Sequence, residues 1–392
     1  MTKAAISWYS NSLNQPTGYG TQSKQVISRL VQAGHKVAML SNYGGEGVNT
    51  FIETGAGEIP HYSRGMNQYS TDVLPLHYSH FSAENPDLPS LLITLYDVWV
   101  LDNPALDNIP IASWTPIDHQ PAPEKVLAWL KKPNVTPIAM SKFGKSMVEG
   151  AGLESEYIPH AVETSVFKPT KDLPEGISGL EFVGGEDKFV VGMNFANKAG
   201  GFIHRKAVSE NFLAFAIFAS KHDDVILYLH TEPFGKQSGF VLPTILQACG
   251  VPPEKVKFVD PVGYQYGISA ETLAAIYSAW DVGLFCSYGE GFGVPQVEAQ
   301  ACGVPIITSN FAASTELASP DSYLVNGQPF WDAGQNAWFN IPLVTGIVEA
   351  LEQAYQRGRK EFPDTVAFAK QYDADKVFND SWKPLIKKLA SK

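Results

Sequence analysis

Short apolar runs and helix-like segments alternate along the chain. In the first half, the runs AAISWYS, HKVAMLS, SLLITLYDVWVL, NIPIASWTPID and TPIAMS are typical of buried strands, and apolar spacing predicts helices over 21–33, 124–132 and 142–150. Strands that alternate with helices indicate an α/β fold with a parallel sheet covered on both faces. Ligands bind such sheets at the C-terminal ends of the strands.

The same alternation resumes after a segment that lacks periodicity. Residues 161–187 are rich in Pro, Gly and charge, which is typical of a linker between domains. The strands KFVVGMN, DVILYLH, KVKFVD and DVGLFC follow it. Because 392 residues exceed what one hydrophobic core usually supports, two domains are expected. We expect an N-terminal domain over 1–160, a C-terminal domain over 188–365 and an amphipathic terminal helix over 366–392.

The stretch SYGEGFGVPQVEAQACGVPIITS, residues 287–309, carries the clearest chemical signal. It follows an apparent buried strand, supplies a glycine-rich loop, and then starts a short helix near Pro295 that Gly303 ends. Free N–H groups and the dipole at such a helix start favour an anion. Glu290 and Glu298 frame this site, and ionised carboxylates there are suited to accept hydrogen bonds from sugar hydroxyls.

Glu-x7-Glu around GFG-x-P, followed by ACG-x-P-I-I, resembles the large retaining nucleotide-sugar glycosyltransferase family of GT-B fold, which includes the glycogen synthases (glycosyl transferases group 1). The resemblance implies two Rossmann-like parallel-sheet domains facing a cleft, with the acceptor on the N-terminal side and the terminal helix packed back across the domains. It also implies transfer of a sugar from a UDP-, GDP- or ADP-linked donor to an acceptor hydroxyl, with retained configuration and without a metal or other cofactor.

Several site residues follow from the same resemblance. Arg205 and Lys206, at or just before a predicted helix, would meet the donor diphosphate, and two cations at a helix start are otherwise unfavourable. His119, after the strand NIPIASWTPID, would contact the transferred sugar that Glu290 holds, while Glu298 would hold the ribose. The other donor-binding candidates are Gly18, Gly20, Val259, Gly291, Phe292, Gly293 and Val294, and further candidates are Asp97, Asp118 and Lys198.

Other features narrow the function. A nicotinamide dehydrogenase is disfavoured, because Ser23 takes the place of the third glycine after Gly18 and Gly20. The net charge of −11 shows no basic footprint for nucleic acid or an anionic membrane. Three cysteines without CxxC spacing, and no signal-peptide core, favour a cytoplasmic protein.

The acceptor stays open between a glycan, a protein, a lipid, a modified nucleobase and a small molecule. A nucleotide-sugar epimerase or hydrolase of the same fold, and a non-catalytic sugar-nucleotide-binding protein, remain as alternatives to a transferase.

Overall fold

A computed structural model describes residues 3–236 and 238–391. They form two compact units. Unit 1 comprises Met1–Ala161, Ala333–Ala337 and Ala374–Lys392, and unit 2 comprises Val162–Asp332 and Trp338–Asp373. The domain bounds expected from the sequence remain a prediction. The segment predicted as a linker, residues 161–187, contains a short helix, which is given below with unit 2.

Unit 1 is built on an eight-stranded sheet in the order β3-β4-β2-β1-β5-β6-β7-β8. All neighbouring strands are parallel except β3 and β4. Its strands are β1 Ala5–Asn11, β2 Lys36–Tyr43, β3 Thr50–Glu53, β4 Glu58–Tyr62, β5 Ser90–Leu95, β6 Ile111–Thr115, β7 Val135–Ala139 and β8 Glu156–Tyr157. Its first four helices are α1 Gly18–Gln32, α2 Leu74–Ala83, α3 Glu124–Leu130 and α4 Lys142–Gly150.

Unit 2 contains a six-stranded parallel sheet in the order β11-β10-β9-β12-β13-β14. Its strands are β9 Phe189–Asn194, β10 Val225–His230, β11 Val256–Phe258, β12 Val282–Leu284, β13 Ile306–Ser309 and β14 Tyr323–Val325, and β15 Gly327–Asp332 with β16 Ala337–Pro342 forms a separate two-stranded sheet. The helices are α5 Gly179–Val183, α6 Val208–Ala219, α7 Leu242–Cys249, α8 Pro261–Tyr266, α9 Ala270–Ser278, α10 Val294–Ala301, α11 Val344–Arg357 and α12 Pro363–Ala369.

The core of unit 2 shows why the chain folds in this way. Helix α6 turns Phe212, Phe215 and Phe218 inward at helical spacing, and all three are fully buried against the apolar faces of the sheet and of α11. Strands β9 and β10 are almost continuously apolar because both faces of a parallel sheet are covered. This packing fixes the positions of β9, β10 and β12 in the sheet, and the loops of the site follow their C-terminal ends.

The C-terminal residues are more broken than the predicted single helix. They form α13 Ala374–Val377, a wide helical turn over Phe378–Trp382, and α14 Lys383–Leu389. Pro384 lacks the N–H that a regular helix would use, which explains the interruption just before it. Trp382 packs between Trp8 and Trp114, with ring centroids 5.5 and 4.9 Å away, and so holds this segment within unit 1. No helix within residues 3–236 and 238–391 is long and apolar enough to cross a membrane.

Candidate functional site

The glycine-rich loop of unit 2 follows β12 and leads directly into α10. Gly293 precedes the first helical residue with φ of +121°, a left-handed conformation that disfavours any side chain, and Pro295 lies in the first turn as predicted. Below the loop, the buried Gln296 accepts a hydrogen bond from the Thr308 hydroxyl at 2.8 Å. This hydrogen bond joins the first turn of α10, which follows the loop, to the adjacent strand β13.

Arg205, Lys206 and Glu290 form one ionic cluster. The Arg205 guanidinium donates to Oε2 of Glu290 at 2.9 Å and to the carbonyl of Gly289, and the Lys206 ammonium donates to Oε1 of Glu290 at 2.6 Å. The two cations lie just before α6, as predicted, where Ala207 adopts a left-handed conformation with φ of +47°. The Glu290 carboxylate thus accepts hydrogen bonds from both cations and holds them side by side.

The electrostatics of Glu290 follow from this arrangement. The residue is 6% exposed. Burial by itself would raise the pKa of its carboxyl, but the neighbouring charges of Arg205 and Lys206 and their hydrogen bonds outweigh it and lower the pKa to about 2. Glu290 is therefore ionised at any physiological pH and acts only as a hydrogen-bond acceptor.

Glu298, one turn into α10, has the opposite environment. Its Oε2 accepts a hydrogen bond from the Tyr277 hydroxyl at 2.9 Å, and the oxygen of Tyr277 in turn accepts one from Nδ2 of Asn194 at 2.7 Å. Burial raises the pKa of Glu298 to about 7, although the Tyr277 hydrogen bond partly opposes this rise. The two glutamates thus carry different proton affinities within one loop and helix.

A shallow pocket opens at this loop. It lies over the C-terminal ends of β9 and β12, the position where ligands bind in open α/β sheets. Its lining combines polar and charged side chains with apolar ones. The residues that line it include Asn194, Phe195, Lys206, Phe285, Glu290, Gly293 and Gln296.

The other candidates in unit 2 lie in different surroundings. Gly291 and Phe292 are buried, and the Phe292 ring meets Tyr372 edge-on with centroids 5.6 Å apart. Val294 is half-buried at the first position of α10. The backbone N–H of Val259 donates to the carbonyl of Leu229 and extends the sheet by one residue. Lys198 is exposed in the loop after β9 and does not line the pocket at the helix start.

In unit 1 the first helix begins at Gly18, three residues before the predicted start at residue 21, so the predicted start is wrong. Gly18 and Gly20 already belong to the first turn of α1, because Thr17 caps the helix and accepts a hydrogen bond from the Gly20 N–H at 3.1 Å. A Cβ atom at Gly20 would lie 2.4 Å from the carbonyl oxygen of Gln15, so this position requires glycine for close packing. At Gly18 the corresponding space is open.

The strand-end residues of unit 1 lie where the sequence predicts. His119 is 4% exposed, and its Nδ1 is 2.7 Å from a carboxylate oxygen of Asp118, in the segment after β6. Asp97 is half-buried after β5, at the start of a short 3₁₀ turn. His119 and Asp118 are neighbours in the chain, and both follow the C-terminal end of β6, so their side chains pair.

Two residues of the site were missed by the sequence analysis. Asn194 is a polar residue at the C-terminal end of an apolar strand, a signal that could have found it. Tyr277 gave no such signal, since it occupies a buried position of α9 that a core aromatic would also fill. Within residues 3–236 and 238–391, no group of three or more His, Cys, Asp or Glu side chains is arranged to hold a metal ion.

Comparison with solved structures defines the class of fold. Sucrose-phosphate synthase from Thermosynechococcus elongatus superimposes with a TM-score of 0.74 at 17% identity, over 100% of both chains. Anabaena HepE, solved in complex with UDP and glucose, superimposes with a TM-score of 0.67 at 17% identity, over 99% of both chains. The chain has the GT-B fold of these glycosyltransferases, as the sequence predicts.

Sequence comparison places part of the chain in a family. Residues 204–333 match the family Glycosyl transferases group 1, so the chain carries a glycosyl transferases group 1 domain, as predicted. This region contains the ionic cluster, Tyr277 and Glu298. MMP alpha-(1->4)-mannosyltransferase of Mycolicibacterium hassiacum is 42% identical over 62 residues, which cover 16% of this chain and 15% of that protein. The sequence match thus spans less than a fifth of that relative's length.

Proposed function

We propose that this protein is a glycosyltransferase that moves a sugar from a nucleotide diphosphate sugar to an acceptor hydroxyl. The observation that carries the proposal is the Arg205–Glu290–Lys206 cluster beside a pocket at the start of α10. Cations beside the start of a helix are suited to bind a diphosphate. The group 1 domain and the UDP and glucose bound by HepE support the same class of donor.

The cluster suits the chemistry of the leaving group. As the bond between sugar and phosphate breaks, negative charge grows on the diphosphate, and fixed positive charges lower the energy of that state. Arg205 and Lys206 are held in place by Glu290 before the donor arrives, so little reorganisation is needed. The backbone around Gly291, Gly293 and Val294 adds the helix-start dipole. This supply of positive charge from the chain supports a metal-independent reaction.

The state of Glu290 supports retention without a carboxylate nucleophile. Each of its oxygens already accepts a hydrogen bond from a cation, and its pKa is lowered to about 2, which makes it a weak nucleophile. Under this proposal the leaving phosphate helps to deprotonate the acceptor on the same face of the sugar. A carboxylate has about four acceptor positions, so Glu290 retains capacity for a hydroxyl of the transferred sugar.

The remaining roles follow from the resemblance to the glycosyltransferase family and form part of the proposal. Glu298 would hold the ribose hydroxyls, and the nucleotide base would lie near Val259 and the C-terminal end of β11. In unit 1, His119, oriented by Asp118, would contact the transferred sugar, with Asp97 and the α1 start at Gly18 and Gly20 as further contacts. The proposal includes an N-terminal domain over 1–160, a linker over 161–187, a C-terminal domain over 188–365 and a terminal segment over 366–392.

The first experiment is a binding and turnover test. Isothermal titration calorimetry with UDP-glucose, GDP-mannose and ADP-glucose, with and without EDTA, should detect one preferred donor that binds equally well without divalent metal. Lys206→Ala should weaken that binding by about tenfold or more, because a charge-assisted contact to phosphate is lost. Lys221→Ala is the matched control, since Lys221 is an exposed lysine of unit 2 paired with Glu352.

Product analysis then tests the finer claims. Incubating the preferred donor with a panel of glycans, peptides, lipids, modified nucleosides and small polyols should reveal transfer to one class, and NMR should show the donor's anomeric configuration in the product. An inverted product would refute retention, and donor hydrolysis or epimerisation without transfer to any acceptor would favour the alternative enzymes. Failure of all three donors to bind, or equal binding by Lys206→Ala and wild type, would refute the proposed donor site.

A further inference from the structure

A short hydrogen-bonded chain ends at Glu298 and joins three elements of unit 2. Asn194, at the end of β9, donates to the oxygen of Tyr277 on α9 at 2.7 Å, and the Tyr277 hydroxyl donates to Glu298 on α10 at 2.9 Å. Tyr277 is fully buried, and Glu298 is 8% exposed. Since a phenol has one proton, the hydrogen bond from Asn194 leaves the Tyr277 proton free to point at the carboxylate.

We propose that Tyr277 is a positioning residue for the nucleotide-sugar donor, and that it acts by holding the Glu298 carboxylate in the direction and the ionised state that accept the ribose hydroxyls. This inference rests on the proposed function. Asn194, which also lines the pocket, fixes the direction of the Tyr277 hydroxyl and completes the chain. Tyr277 itself touches no donor atom in this scheme.

The physical need for such a residue comes from the burial of Glu298. Accepting hydrogen bonds from a ribose requires the ionised carboxylate, whereas burial favours the protonated acid and raises the pKa to about 7. The hydrogen bond from Tyr277 opposes burial by stabilising the charged form. Burial, together with the nearby Glu298, raises the pKa of Tyr277 well above 10, so the phenol keeps its proton and remains a donor.

Few other ionisable groups lie on the elements that pack against α10. Helix α9 adds the exposed Glu271 besides Tyr277, helix α12 adds the exposed Asp364, and strand β13 adds none. The 3₁₀ turn Ala312–Leu317, which accepts hydrogen bonds from Gln296 and Gln300 of α10, adds the half-buried Glu316. The thiol of Cys302, the residue that follows α10, lies one turn beyond Glu298, and burial raises its pKa, so it stays neutral. Because His119 is also proposed to contact the transferred sugar, the pH dependence due to Glu298 is defined as the part that Glu298→Gln removes.

The test measures donor affinity by calorimetry between pH 5.5 and 9, with the donor found tightest among UDP-glucose, GDP-mannose and ADP-glucose. These nucleotide sugars have no terminal phosphate that titrates near pH 6, so the protein supplies the pH dependence. Wild-type affinity should rise through about pH 7. Tyr277→Phe should move this midpoint to higher pH and weaken binding at pH 7 by about tenfold, as expected for losing a hydrogen bond to a charged group.

Tyr228→Phe provides a matched control. Tyr228 is also a fully buried tyrosine of unit 2 beside Trp280, and its hydroxyl has no hydrogen-bond partner among the described residues. We expect its pH profile to match that of the wild type. Glu298→Gln should remove the rise through about pH 7, and adding Tyr277→Phe to it should then cause no further change of the profile. A thermal melt of each variant establishes that it is folded.

The outcomes separate the inference from the function on which it rests. If the wild type binds a donor but Tyr277→Phe keeps the wild-type midpoint, or weakens binding equally at every pH, Tyr277 has only a structural role and the inference is wrong. If the wild type binds none of the three donors, the proposed function itself fails. Should Tyr277→Phe not fold, Asn194→Ala decides, because loss of the hydrogen bond that orients the Tyr277 hydroxyl should also move the midpoint to higher pH. An unchanged midpoint in Asn194→Ala would overturn the inference.

Discussion

Replacing Glu298 with Gln should stabilise the protein at alkaline pH, whatever ligand it binds. Burial raises the pKa of this carboxyl from 4.5 to about 7. A carboxyl whose pKa is raised on folding contributes stability below its unfolded pKa, and this contribution is lost as the pH rises through the folded pKa. The free energy of unfolding of the wild type should therefore fall between pH 4.5 and about 7 as Glu298 ionises. A variant with a neutral side chain at this position should not show this fall.

The magnitude follows from the two pKa values. Their difference is 7 − 4.5, or about 2.5, and one pKa unit corresponds to about 1.36 kcal/mol, so ionising Glu298 costs the folded state about 3 kcal/mol. Gln keeps the shape and still accepts the hydrogen bond of Tyr277. Glu298→Gln should therefore raise the free energy of unfolding by about 3 kcal/mol at pH 8.5 and by about 1 kcal/mol at pH 5.

Differential scanning calorimetry at both pH values is the appropriate assay, because the two units need not unfold together. For a unit of this size, 3 kcal/mol corresponds to an increase in Tm of roughly 6 to 12 °C. The exposed Glu361 offers the control, since Glu361→Gln should leave the melting profile unchanged. An equal Tm change at pH 5 and pH 8.5, or a lower Tm of the variant at pH 8.5, would refute the claim that burial raises the pKa of Glu298 and makes its ionisation unfavourable.

Two further predictions concern the cluster and the start of α1. Glu290→Gln should lower the free energy of unfolding by about 3 kcal/mol at pH 7, because its lowered pKa contributes stability above pH 4.5 that is lost as the pH falls towards 2. The difference in free energy of unfolding between the wild type and Glu290→Gln should become smaller in denaturation measured from pH 7 down to 3.5. A difference that stays constant would contradict the claim that the ionised Glu290 stabilises the protein through its two cations. Gly20→Ala should lower Tm, with a loss of about 1–3 kcal/mol from overpacking against Gln15. Gly18→Ala, with open space around its Cβ, is the control, and equal effects of both would contradict the packing argument.

The fold could be predicted from the sequence because its signals are local and repeated. Continuous apolar strands, helical spacing and the glycine-rich turn at Gly293 each depend on residues close together in the chain, and the observed elements follow them. The start of α1 was placed too late because Thr17 acts as a helix cap, so glycines that suggest a loop became part of the first turn. The break near Pro384 was likewise missed in the amphipathic pattern of the tail.

The sequence predicts the residue types of the candidate site but not the contacts between them. Arg205, Lys206, Glu290 and Glu298 were identified as chemistry-bearing residues, but nothing in their spacing showed that one glutamate pairs with both cations. Some 84 residues separate Lys206 from Glu290, and contacts at such separation depend on how β9, β12 and α6 pack. The contribution of Tyr277 was invisible for the same reason.

The sequence by itself therefore determined the alternation of strands and helices, the α/β class and the identity of the groups gathered at the loop before α10. These properties arise from local preferences and from apolar periodicity, which each segment carries within itself. Only the tertiary structure decided that Glu290 lies between two cations with a low pKa, while Glu298 lies under a tyrosine with a raised one. Burial and distance set those proton affinities, and both are properties of the packed chain.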